Sequence, residues 1–142
     1  VRSMFFPAPG QSLGSSPMKV HSQALEYDAS NPADAQFVEN IWFEKNGVMF
    51  MTLNVPGGSN NNNDIWYGTP TMTAAQQQEI TTRTAANLRW IDTVFSKAVA
   101  SNAAAVLIQV QAQFVGCDHG QCGEHALAQL DLAGHDFDHT GG

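Results

Sequence analysis

The sequence predicts an α/β domain built around one βαβ unit, on three observations. A nearly continuous apolar run, Gly47-Val-Met-Phe-Met-Thr-Leu-Asn-Val55, has the length and side-chain types of a buried strand. A long segment from Thr73 carries apolar residues at three- and four-residue spacing, the period of a helix with one covered stripe. A second short apolar run follows at residues 103–111 (AAAVLIQVQ). Strand (about 48–55), helix (about 73–101) and strand (about 104–111) in that order make a parallel pair with a right-handed crossover.

Each element has local reasons. Residues 1–36 hold Pro7, Pro9, Pro17 and Pro32 with several Gly and Ser and no sustained period. They read as an irregular segment wrapping its neighbours, with one short strand near residues 18–23. Residues 37–45 (FVENIWFEK) are rich in aromatic and β-branched types and read as a strand. Asn46-Gly47 then signals a hairpin, because both residues tolerate positive φ. The next strand, with little polar alternation, is expected to be covered on both faces.

Val55-Pro-Gly-Gly-Ser-Asn-Asn-Asn-Asn-Asp-Ile-Trp66 leaves that strand as a polar loop at the carboxyl edge of the sheet, where open α/β sheets bind ligands. Thr73 and Gln76 form a capping-box pair. Ile80, Thr84, Leu88, Ile91, Phe95 and Ala98 are the expected buried stripe, with Glu79 and Arg83 one turn apart on the outer side. Ser101-Asn102 ends the helix. The chain thus divides into a wrapping segment (1–36), an α/β core (37–113) and a Cys/His-rich tail expected to be mobile (114–142).

At 142 residues, with 43% hydrophobic and 9% aromatic content, the chain can bury one core. Six Lys and Arg against 13 Asp and Glu give a net charge of −7. That balance argues against nucleic acid, which is bound through a cationic footprint, and against an anionic membrane surface. No apolar run approaches the roughly 20 residues that span a bilayer. No signal peptide is legible, and the absence of an initiating Met suits a mature or truncated product. Few lysines and two close cysteines suit a secreted or periplasmic location.

The order of segments is similar to a known family. Phe37-Val-Glu-Asn-Ile-Trp42, then residues 47–60 (GVMFMTLNVPGGSN), then Ala86-Asn-Leu-Arg-Trp-Ile-Asp92, then Ala105-Val-Leu-Ile108 resemble the calcineurin-like metallophosphoesterases, particularly a bacterial branch. The likeness runs over roughly residues 4–113. It implies part of an αββα sandwich, a phosphate ester as small-molecule substrate, and divalent metals (Zn, Mn or Fe) that activate a water and neutralise phosphoryl oxygens. It also places Asn54, Asn60 and Asn61 at the substrate and Gln109 to Gln113 near the metal edge. The family's ligands come from D-x-H, G-D-x-x-D and G-N-H-[DE], a mid-chain His and a late G-H-x-H. Neither Asp-x-His nor Gly-Asn-His occurs anywhere. Ile108-Gln-Val-Gln-Ala-Gln113 stands where the His is expected, and Gly134-His-Asp-Phe137 matches half of the last motif. The resemblance therefore implies the carboxyl-side portion of such a domain, inactive alone, with self-association or a complementary polypeptide covering its open sheet.

A second candidate site is independent of that resemblance. Cys117, His119, Cys122 and His125 place two thiols and two imidazoles within nine residues, a soft donor set for tetrahedral zinc. Structural zinc sites usually separate their ligand pairs by a dozen or more residues, so a Cys117–Cys122 disulfide or free thiols stand as alternatives. This cluster supports a different functional class, a non-catalytic binding or metal-capturing module. Trp42, Trp66 and Trp90 read as packing, and His21 as surface or hydrogen-bonded structure.

Overall fold

The computed structural model describes residues 2–57 and 65–110. In chain order the elements are α1 (Arg2–Phe5), β1 (His21–Ser22), α2 (Gln23–Glu26), a 3-10 turn (Pro32–Gln36), β2 (Ile41–Lys45), β3 (Val48–Leu53), α3 (Ala74–Ser101) and β4 (Ala105–Val110). They form one four-stranded sheet in the order β1-β2-β3-β4, antiparallel except for the last pair. The parallel β3–β4 pair, in register from Val48↔Ala105 to Leu53↔Val110, is the βαβ unit expected from the sequence.

The hairpin forms where its dipeptide stands. Asn46 and Gly47 take φ of 54° and 75°, so both turn residues are left-handed, as a two-residue hairpin requires. Thr73 caps α3, its hydroxyl accepting the Gln76 N–H at 3.1 Å. The other half of the expected box is diverted: the Gln76 side-chain oxygen accepts the backbone N–H of Trp66 at 3.1 Å and ties the end of the polar loop to the helix. Asn102, at φ 53°, closes the helix through a backbone bond to Ala98. Ala104 N–H then reaches the Gly47 carbonyl at 2.7 Å, fixing the start of β4 beside the hairpin turn.

Two sequence-based expectations are corrected. The buried face of α3 carries Gln76, Ile80, Arg83, Asn87, Trp90, Val94 and Ala98, rotated from the all-apolar stripe that includes Thr84 and Leu88. Leu88 is 58% exposed, whereas Arg83 is 1% exposed and turned inward, its guanidinium bonded at 2.7 and 3.0 Å to Glu79, which stays half-exposed as expected. The reason lies in what the helix meets. Its carboxyl half packs on Trp42, Met49 and Met51, but at Ala86 and Asn87 it meets the polar side chains of Gln23 and Asn40. Polar residues on that face are therefore inward, and an apolar template skips them.

Strand β3 is also not covered on both faces. Met49, Met51 and Leu53 are buried, while Val48, Phe50 and Thr52 alternate with them as half-buried residues. Helix α3 covers one face. On the other, Phe43 and Phe50 stack on each other with centroids 5.0 Å apart, and Leu107 is half exposed.

Ion pairs hold the wrapping segment. Asp34, buried, receives two charge-assisted bonds from Arg89 at 2.7 and 2.6 Å, which hold the Arg89 guanidinium above its ordinary value. His21 stacks on Trp42 at 3.9 Å and bonds to Glu26, consistent with its reading as hydrogen-bonded structure. Ser30 donates its backbone N–H and its hydroxyl to Asp28, holding that exposed carboxyl below the usual range. Among the described residues no helix is long and apolar enough to cross a membrane.

Candidate functional site at the carboxyl edge

Parallel pairing brings the ends of β3 and β4 to one edge of the sheet, and the start of antiparallel β2 lies at the same edge. An open cavity of about 980 Å³ occupies it. Its floor is a row across the sheet: Ile41 on β2, Thr52 on β3 and Gln109 on β4, all on the face turned away from α3. Ile41 N–H donates to the Thr52 hydroxyl at 3.2 Å and Thr52 pairs with Gln109, so the row is held by the register itself. The facing wall comes from the wrapping segment, through Arg2, Phe6 and Leu13.

Beneath this floor lies a network of buried amides. Asn40, fully buried, donates to Gln23 Oε1 at 2.7 Å and to Asn87 Oδ1 at 2.9 Å, and its own oxygen accepts the Asn54 N–H at 2.7 Å. Asn87 donates back to the Asn54 carbonyl at 2.8 Å. Both backbone groups of Asn54 are thereby fixed as the chain leaves β3, and its side-chain amide donates to Glu39. Glu39 in turn receives Arg2, whose Nε and Nη2 reach its carboxylate at 2.8 to 3.1 Å, with the Arg2 guanidinium 5.2 Å above the Phe37 ring. The segments Glu39-Asn40, Asn54 and Asn87, which carry part of the family resemblance, are thus one hydrogen-bonded cluster.

Of the residues expected at the substrate, Asn54 lines the cavity; Asn60 and Asn61 lie outside the described residues. Gln109 also lines it, while Gln111 and Gln113 lie outside. Cys117, His119, Cys122 and His125 all lie outside the described residues too, so the structure does not bear on the zinc, disulfide or thiol alternatives. Sequence reasoning missed Arg2 and Glu39 as site residues. Glu39 stood inside a segment read as strand, and its partner is 37 positions away, a pairing no local pattern announces.

The described edge does not fit a pair of divalent metals. Asn54 and Gln109 offer neutral amides, weak donors for zinc or iron, and the Glu39 carboxylate is engaged by Arg2 and Asn54. Among the described residues no three His, Cys, Asp or Glu come together as a ligand group. Among the described residues the arrangement is suited to binding and orienting a ligand. It presents an apolar slot with a neutralised ion pair and a few amides at its lip. Comparison of the chain with family models, with curated proteins and with solved structures returns no match.

Proposed function

We propose that this chain is the carboxyl-side portion of a calcineurin-like, metal-dependent phosphoesterase domain. The observation that carries the reading is the parallel β3–α3–β4 unit, which sets Asn54 and Gln109 at one sheet edge beside a cavity. A sheet with one helix-covered face and one half-exposed apolar face also suits half of an αββα sandwich. In this reading the metal chemistry belongs to D-x-H, G-D-x-x-D and G-N-H-[DE] motifs outside these 142 residues. The residues present hold the substrate's organic part and shape the rim. With 4-nitrophenyl phosphate and added Mn²⁺ or Zn²⁺, the chain alone is expected to give no turnover above the metal-only rate. Robust turnover would overturn the assignment of the ligands to absent motifs, and a coding frame ahead of Val1 without D-x-H and G-D-x-x-D would overturn the phosphoesterase reading itself.

One observation favours a second reading, a non-catalytic module that captures metal. The described edge holds no ligand group, whereas Cys117, His119, Cys122 and His125 crowd into nine residues. Zinc titration by calorimetry separates the two. A capture module should bind one Zn²⁺ per reduced chain and lose about 2 to 3 kcal/mol or more of affinity in a His119→Ala, His125→Ala double variant. Equally weak binding by both proteins dismisses it.

A further inference from the structure

Resting on the phosphoesterase reading, we infer that the carboxyl-edge cavity receives the alcohol portion of the ester, and that this alcohol is apolar, an aryl or alkyl group rather than a sugar or nucleoside. Charge is the first argument. Among the described residues, Arg2 and Glu39 are the ionisable ones lining the cavity, and they neutralise each other through three bonds of 2.8 to 3.1 Å. With a net charge of −7 on the whole chain, this wall offers little attraction to a phosphoryl dianion. The phosphoryl end of the ester is therefore held elsewhere, and its other end faces these residues.

The wall chemistry is the second argument. Phe6, Leu13 and Ile41 line the slot, and Leu53, Val55 and Val110, which pack into the core under α3, border it at the sheet edge. Several of the polar groups among them are already committed. The Thr52 hydroxyl donates to the Glu39 carbonyl at 2.6 Å and accepts from Ile41, the Asn54 amide donates to Glu39, and the Ser12 hydroxyl accepts from Met18. Among the described lining residues that leaves chiefly the Gln11 and Gln109 amides for a sugar's several hydroxyls, and each buried hydroxyl left unmet costs about 1–3 kcal/mol. An aryl or alkyl group gains instead from covering the apolar wall, by about 25 cal/mol per Å². The volume of about 980 Å³ lies at the upper end of small-molecule pockets, room for a group larger than a simple phenyl ring.

The test is an amide NMR titration of the full chain with 2-naphthol and, in parallel, with glycerol. Saturable shifts confined to the cavity, at Leu13, Thr52, Val55 and Val110, are expected for 2-naphthol with a Kd on the order of 0.1–1 mM, and none for glycerol. Leu13→Asp should weaken 2-naphthol binding by roughly tenfold, while Leu88→Asp, equally exposed but on the outer side of α3, should leave it unchanged. Both leucines are more than half exposed, so both variants should fold. Equal binding of glycerol, or 2-naphthol binding indifferent to Leu13→Asp, overturns the assignment. The phosphoesterase reading fails separately, on the coding frame: absence of cavity binding with D-x-H and G-D-x-x-D present upstream sinks the alcohol pocket alone.

Discussion

Replacing Asn40 with alanine should lower the unfolding free energy by about 3–5 kcal/mol, a large part of the stability of a small domain. The loss follows from what its side chain satisfies. Asn40 is fully buried and bridges Gln23, Asn54 and Asn87, which come from three separate parts of the chain. Removing it strands the Asn54 N–H and the side-chain oxygens of Gln23 and Asn87, each at about 1–3 kcal/mol, with water entry offsetting part. Asn40→Asp distinguishes hydrogen bonding from volume. The carboxylate fills the same space but turns two donated bonds into repulsion with the oxygens of Gln23 and Asn87. Burial and that repulsion raise its folded-state pKa, so the deficit should be full above that value and shrink as pH falls through it. Urea unfolding at several pH values reads both effects. An alanine cost below about 1 kcal/mol would show the cluster to be dispensable.

Trp90→Ala is expected to cost a similar amount, about 3–5 kcal/mol, for a different reason. Trp90 is 1% exposed in the core cluster with Trp42, Met49, Met51 and Val94, so truncation leaves a cavity under the sheet. Its ring N–H has no partner among the described residues. Trp90→Phe therefore removes an unsatisfied donor together with some contact area, and should cost less than half as much as alanine. Calorimetric Tm values for the two variants provide the comparison. Equal losses would mean that the indole N–H is bonded after all, outside residues 2–57 and 65–110, and would reassign the ring from filler to anchor.

What was legible in the sequence is local. Asn46-Gly47 announced a turn because few other dipeptides accept two left-handed residues, and both do so. Thr73 and Gln76 announced the start of α3, and the two apolar runs announced the parallel pair. The inward face of α3 was harder. Arg83 and Asn87 look solvated on any polarity scale, and only the distant Gln23, Asn40 and Asn54 make an inward Asn87 favourable. The wrapping segment was read as irregular because its order comes from tertiary bonds: Arg2 to Glu39, and Gln23 to the Ala86 carbonyl at 2.9 Å. The cavity was legible only in its edge. Parallel topology placed Asn54 and Gln109 there, but the wall opposite them is set by contacts between residues far apart in the chain.

The bond from Ala104 to Gly47 has a consequence for how the chain assembles. The β2–β3 hairpin closes over two residues and needs no other element, so it belongs to the fastest events of folding. Strand β4 instead must wait for its crossover, because residues 48 and 105 meet only after a long loop entropy has been overcome. Once Ala104 reaches the turn, the parallel ladder has a start beside the hairpin and can extend toward Leu53 and Val110. The rim that holds Asn54 and Gln109 is the far end of that ladder, where Asn40 and Asn87 clasp the backbone of Asn54.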